Sequence, residues 1–281
     1  MHLTGDLLAH PFTPAIAARA GTGRAELDRL VREGDVVRLL RGVYLGSGVT
    51  LTTPVRARAV GLRVGGRRVV ARRTAAWVHG AGRVGGTPTV PVDSYGPRSR
   101  SRAGPPLGPG DVVVVAGLRC TSPVRTALDL ARTLAPERAL PLVDGLLRAG
   151  VLVHADVLAA CPDLGRGTDG AREVLARADG RARDEAESVL RLRWLEATLP
   201  TPTPGLVAGG ARFALGLRAQ RFGVVLAGTV STLEVERCRS EGWRVIVLPG
   251  RLVVAADPVL VTEQLESAFH QHLLGQLARG G

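Results

Sequence analysis

The sequence predicts an α+β chain in three parts, on three observations. Its 281 residues exceed one typical domain. Its first 50 residues read as helix, turn, helix and hairpin. Beyond them, strand-like and helix-like stretches alternate, so neither element type alone accounts for the chain. The parts are expected at residues 1–50, 51–178 and 179–281, the second and third each a mixed α/β unit.

In the first part, Thr13 can cap a helix with Pro14 at its first position. Ile16, Ala17 and Ala20 make the apolar stripe of that helix, and Gly21 can end it. Thr22 can cap a second helix, "GRAELDRLVRE", with Leu27, Leu30 and Val31 facing inward and Gly34 in the left-handed position after it. "DVVRLLRGVYLG" then gives a strand, a tight turn at Arg41-Gly42 and a return strand holding Val43, Tyr44 and Leu45. This is the layout of a winged helix-turn-helix, whose second helix enters the major groove while the wing touches the DNA backbone. Arg24, Asp28, Arg29 and Arg32 would face outward on that helix, with Arg38 and Arg41 on the wing. Winged helices also serve as partner-binding modules.

In the second part, "RRVVARRTAAWVHG" gives a short strand and a helix from Thr74, burying Ala75, Ala76 and Trp77. "TPTVPVDSY" and "GDVVVVAGLRCTS" are strand-like, separated by a loop rich in Arg, Ser, Gly and Pro that carries Arg98, Arg100 and Arg102. That loop is either a plain connector or a phosphate-grasping arm. Ser122-Pro123 opens a helix, and "PERALPLVDGLLRAG" and "HADVLAACPDL" add two more. In the third part, "RARDEAESVLRLRWLEATL" reads as an amphipathic helix with acids in its first turn, where the helix dipole favours them. "FALGLRAQRFGVVLAG" follows as two strands around a basic turn. A helix, "TLEVERCRSEG", the strand "WRVIVLP" and a last helix from Asp257 complete the chain.

Charge narrows the partners. The formal net charge is +12, and every basic residue is Arg. Residues 51–110 hold eleven Arg against one acid, Asp93, whereas residues 1–50 and 111–281 each carry a net of +1. An excess confined to one stretch is the footprint of a polyanion-binding surface, although a solvated basic face gives the same count. Arg67, Arg68, Arg72 and Arg73 are its densest cluster and are expected to hold phosphates of double-stranded DNA. Three separated cysteines, Cys120, Cys161 and Cys238, suggest neither a disulfide framework nor a metal cluster and fit a reducing cytoplasm. The first twelve residues do not read as a signal peptide, and no apolar run is long enough to span a membrane. His79 in "WVHG" lacks a nearby nucleophile motif and reads as structural or capping. The glycine clusters lack the ending of a phosphate loop.

"DRLVREGDVVRLLRGVY", "RRTAAWVHG" and "GLRCTSPVRTALDLAR" together resemble the AbiEi-type antitoxin-like proteins, a winged helix followed by an α/β antitoxin domain. "ESVLRLRWLEA" and "CRSEGWRVIVLP" resemble the C-terminal domain that many of these carry. That domain is similar to very-short-patch-repair endonucleases, a branch of the restriction-endonuclease-like fold. The resemblance implies a site for a divalent metal built from clustered carboxylates, which bind the scissile phosphate and lower the pKa of a water. It places acids at Glu187, Ala214, Val225 and Ala227, with Gly228 closing the motif. Only Glu187 is acidic, and one carboxylate does not hold a catalytic magnesium. The reading is therefore a nuclease domain without its chemistry, needing no metal or cofactor, in which Glu187 is a helix-surface residue. The expected function is non-catalytic DNA binding as an antitoxin-like protein or transcriptional regulator. Two alternatives stand beside it. One is a module that neutralises a toxin protein, a partner the resemblance implies. The other is an active endonuclease with ligands displaced to Glu234, Glu236 or Glu241.

Overall fold

The computed structural model describes residues 5–66, 68–81, 92–96, 106–165 and 168–280, and it is an α+β chain. Helix α1 (Gly5–Leu8) leads to α2 (Pro14–Arg19), α3 (Arg24–Glu33) and an antiparallel hairpin of β1 (Val36–Leu40) and β2 (Val43–Gly46). The Thr13 hydroxyl caps α2, accepting from the Ile16 amide at 3.4 Å. Gly34, at φ 85°, ends α3 in the left-handed conformation a side chain would strain. Phe12 forms an antiparallel bridge to Tyr44 through backbone bonds of 2.9 and 2.8 Å, so the hairpin gains a third, strand-like neighbour.

Three local expectations need correction. Gly23, not Thr22, is the N-cap of α3, and Thr22 is buried instead. Ala20 is the exposed C-cap residue of α2, already past the helix whose stripe it was expected to join. Val31 is 36% exposed, at the margin of an arc centred on Leu27 and Leu30.

The middle of the chain holds α4 (Thr53–Gly61), β3 (Val69–Val70), α5 (Arg72–Val78), β4 (Ser94–Tyr95), β5 (Val112–Val115) and β6 (Leu118–Thr121). The helices α6 (Pro123–Thr133), α7 (Pro136–Arg148), α8 (His154–Ala160) and α9 (Asp169–Ala176) follow, with a 3-10 turn at Cys161–Leu164. The strands form one sheet in the order β4-β3-β6-β5. "GDVVVVAGLRCTS" is a hairpin rather than one strand. Ala116 (φ 46°) and Gly117 (φ 82°) form a two-residue turn with both residues left-handed, the turn whose twist suits a hairpin. Helix α5 begins at Arg72, two residues before the expected Thr74. Of "TPTVPVDSY", Ser94 and Tyr95 form the strand among the described residues.

The last part contains α10 (Glu185–Glu196), short strands β7 (Thr203–Pro204), β8 (Val207–Ala208) and β9 (Ala211–Arg212), then β10 (Leu215–Leu217) and β11 (Phe222–Leu226). It ends with α11 (Thr232–Ser240), β12 (Arg244–Leu248), α12 (Gly250–Ala255) and α13 (Pro258–Gly280). Its main sheet runs β12-β11-β10-β7, with β11 and β12 parallel and joined through α11.

Shared cores cross the expected boundaries at 50/51 and 178/179. Leu39, Leu40, Val43 and Leu45 of the first hairpin pack with Ala57 and Val60 of α4, Val70 and Cys120. Helix α10 is not amphipathic: every residue from Glu187 to Trp194 is buried. Leu192 joins the helical core of α6, α7 and α9, while Val189, Leu190 and Trp194 join the core over β10 and β11. A helix wedged between two cores has no solvent face, so a one-sided apolar stripe is not required of it. The buried Arg191–Asp144 ion pair, at 2.6 Å, fastens α10 to α7 from the same wedge. Among the described residues, no helix is long and apolar enough to cross a membrane.

Candidate nucleic-acid interface

Helix α3 is electrically balanced by its own sequence. It carries Arg24, Arg29 and Arg32 against Glu26, Asp28 and Glu33. Arg24 pairs with Asp28 at 3.4 Å. Arg29 donates to Glu26 at 2.7 and 2.9 Å and also pairs with Glu33. The bonds from Glu26 and then Glu33 push the Arg29 guanidinium above its ordinary pKa and hold it charged. These are i,i+3 and i,i+4 spacings, so the pairing was legible in "RAELDRLVRE". Arg32 is the one α3 arginine outside an ion pair among the described residues, and it is exposed.

The hairpin and α4 behave differently. Arg38 is exposed on β1 and Arg41 at the turn, and neither has an ion-pair partner among the described residues. Gly42 takes φ 73° in that turn, and a Cβ placed on it would lie 4.0 Å from Nη1 of Arg63. The turn therefore meets Arg63, just beyond α4, and Arg58 is exposed in the preceding stretch of that helix. Because the back of the hairpin is buried against α4 and Val70, the outward Arg38 and the turn are what it offers to a ligand. Asp35 lies at the opposite end of β1, roughly 16 Å along the strand from the turn. Exposed charges that far apart are largely screened, since the Debye length is about 8 Å at physiological salt. Arg58 and Arg63 were not singled out from the sequence, although both belong to the basic stretch.

The quartet of residues 67, 68, 72 and 73 does not present four free guanidinium groups. Arg67 lies outside the described residues, as do Arg98, Arg100 and Arg102. Arg68 is exposed but donates Nε to the Ser94 hydroxyl at 2.9 Å. Arg73 faces Asp93 at 3.6 Å. Arg72 is half-buried, left-handed at φ 48°, with its guanidinium 5.5 Å over the Tyr95 ring. The Tyr95 hydroxyl donates to buried Asp129 at 2.7 Å, and Asp129 accepts from Arg125, which also reaches Asp111. Arg72 thus lies over the end of an internal network. Arg56 is buried too, donating to the Trp77 carbonyl at 2.8 Å.

The four positions implied by the nuclease resemblance do not converge on a carboxylate cluster. Glu187 is 4% exposed, a correction to its expected place on the helix surface. Arg212 reaches its two oxygens at 2.6 and 3.1 Å, and the Arg183 amide donates to it at 2.8 Å. A bidentate guanidinium uses the lone pairs a metal would need. Ala214 packs in the core with Val189 and Leu190, Val225 in the separate core with Phe213 and Trp243, and Ala227 is exposed. Glu234 accepts from the amide and hydroxyl of Ser231 at the start of α11, and Glu236 pairs with Arg239. The carboxylate of Glu241 lies beside Gly209. Among the described residues, no three His, Cys, Asp or Glu side chains group as metal ligands.

His79 is the C-cap residue of α5, and its Nε2 lies 2.8 Å from the Thr121 carbonyl, tying that helix to β6. Burial pushes its pKa below the usual imidazole value, against the weaker opposing effect of the Thr121 bond. The unfolded chain therefore binds the proton more readily. This contribution to stability is complete above about pH 6.5, the unfolded value, and declines as pH falls toward the lower folded value. The His79→Gln variant is expected to show a flatter fall in urea midpoint over that window. An unchanged slope would assign the loss to another group. Cys120 is likewise buried, its thiol pushed up to about 12.

The chain is 32% identical over 188 residues to the uncharacterized proteins Rv2248 and MT2308, from two strains of Mycobacterium tuberculosis. The matched region covers 64% of this chain and 67% of each relative. No family model matches. No solved structure matches.

Proposed function

The chain belongs to the family of these two mycobacterial proteins, and from its charge geometry we propose that it is a non-catalytic protein that binds double-stranded DNA. Its role would be that of an antitoxin-like protein or transcriptional regulator. The observation that carries this reading is the hairpin turn at Arg41-Gly42, which lies beside Arg63, with Arg38 of β1 and Arg58 of α4 exposed in the two elements that meet there. Unpaired, exposed guanidinium groups can replace phosphate counterions without first giving up a carboxylate. The helix–turn–helix–hairpin order supports the same reading, since it matches a winged helix whose wing contacts the backbone. In the balanced α3, Arg32 is the arginine free to read a base edge.

Selection of bound sequences from random duplex DNA tests this. The expected result is recovery of duplex with an affinity that falls steeply with salt, and a shared motif for a specific regulator. Failure to retain duplex at low salt would overturn the reading and favour a partner-binding module.

The non-catalytic half of the proposal rests on Glu187, whose carboxylate is held by Arg212, and on the neutral residues at 214, 225 and 227. No cleavage of duplex or single-stranded DNA is expected with magnesium or manganese. Cleavage that disappears in the Glu187→Ala variant would sink this half.

A further inference from the structure

We propose that the cleft at the start of β12 is a second anion site, one that takes a phosphate group independently of the hairpin corner. A cavity of about 410 Å³ opens there, lined by Arg239, Gly242, Trp243, Arg244, Gln271 and His272. That is within the size range of small-molecule sites, roughly 300–1,000 Å³.

Its charge is one-sided. Arg244 is exposed and in no ion pair among the described residues. Arg239 gives Nη1 to Glu236 at 2.6 Å. Arg221 lies behind Gly242, its Nη1 3.1 Å from where a Cβ on Gly242 would sit and 3.0 Å from the Glu241 carbonyl it donates to, and it lines the neighbouring cleft with Glu241. Two guanidinium groups thus line the cleft, Arg239 paired with Glu236 and Arg244 outside any ion pair among the described residues, and no carboxylate is among its lining residues.

Two features hold this arrangement in place. Arg221 is left-handed at φ 49°, which a non-glycine residue adopts only when its surroundings impose it. The Arg244 amide bonds its carbonyl at 2.8 Å, and its side chain is anchored on the Glu241 carbonyl. On the α13 side, the His272 ring is fixed with Nε2 2.7 Å from the Gln220 carbonyl and is 8% exposed. Gly242, at φ 85°, puts no side chain into the cleft it lines. Planar guanidinium forks suit the oxygens of a phosphate, and Gln271 adds an amide beside them. The phosphate could come from a nucleotide or from a nucleic-acid backbone, which share this chemistry.

Calorimetric titration of the full chain with inorganic pyrophosphate tests the site. Saturable binding is expected, weakened about tenfold or more in Arg244→Gln and again in the Arg239→Gln/Arg244→Gln double variant, as loss of charge-assisted bonds requires. Circular dichroism melting of each variant checks that its fold is kept. The Arg41→Gln/Arg63→Gln variant should bind pyrophosphate as the wild type does, which separates this site from the DNA-binding proposal. Displacement of pyrophosphate by short duplex DNA in that variant would assign the phosphate to a nucleic-acid backbone. Tighter binding of a nucleoside triphosphate, with no displacement by duplex, would assign it to a nucleotide. No binding by the wild type, or equal binding by wild type and the folded Arg239/Arg244 variant, overturns the proposal.

Discussion

Replacing Arg38, Arg41 and Arg63 together with Gln is expected to weaken duplex binding on the order of a hundredfold at physiological salt and to lower the log–log salt slope by about 2.7. Each lost phosphate contact removes a released counterion, worth about 0.9 in slope. These three side chains are exposed and in no ion pair among the described residues, so no described carboxylate competes for them. Arg24→Gln and Arg29→Gln should have far smaller effects on affinity, since Asp28, Glu26 and Glu33 already compensate those charges. Arg32→Ala, alone or with Arg29→Ala, should instead relax sequence preference. An Arg reading guanine through two parallel hydrogen bonds discriminates by about 1–3 kcal/mol. Fluorescence anisotropy across a salt series measures both effects. If the triple variant keeps the wild-type slope while Arg24 or Arg29 changes lower it, the phosphate contacts lie on α3.

The second large effect concerns stability. Asp144→Ala is expected to destabilise the protein by about 3–5 kcal/mol, because it leaves the Arg191 charge buried without its partner. The side chain of Asp144 is fully buried and that of Arg191 is 5% exposed. Asp144 also accepts the Asp179 amide at 2.7 Å, fixing the segment that leads into α10. Exchanging both residues for apolar side chains of similar volume should recover most of the loss, since no unpaired charge then remains. Because α10 contributes to two cores, Trp194 fluorescence and far-ultraviolet circular dichroism should report one shifted denaturation transition. Two separated transitions in the wild type would mean that the wedge does not couple the cores, and a loss below about 1 kcal/mol would mean that the pair is not buried as described.

The elements were legible wherever a local rule decides them. The Thr13 cap, the left-handed Gly34, the Arg41-Gly42 turn, the Ser122-Pro123 helix start and the two strands around Arg218–Arg221 all follow from neighbours within a few residues. The pairing of Arg29 with Glu26 and Glu33 was also available, because helical spacing alone places them together. Side-chain fate was not legible in this way. The pattern of α10 suggested one apolar face, with Glu187 on the surface, whereas two cores close over the helix and Arg212, 25 residues away, takes up the carboxylate. Arg63 resembled every other arginine of its stretch until folding brought it beside Gly42, 21 residues back in the chain. The sequence by itself determined the order of elements and the total charge. Only the tertiary structure decided which charges are neutralised and which remain free, because ion pairing depends on distances through space that the chain closes only by packing its cores.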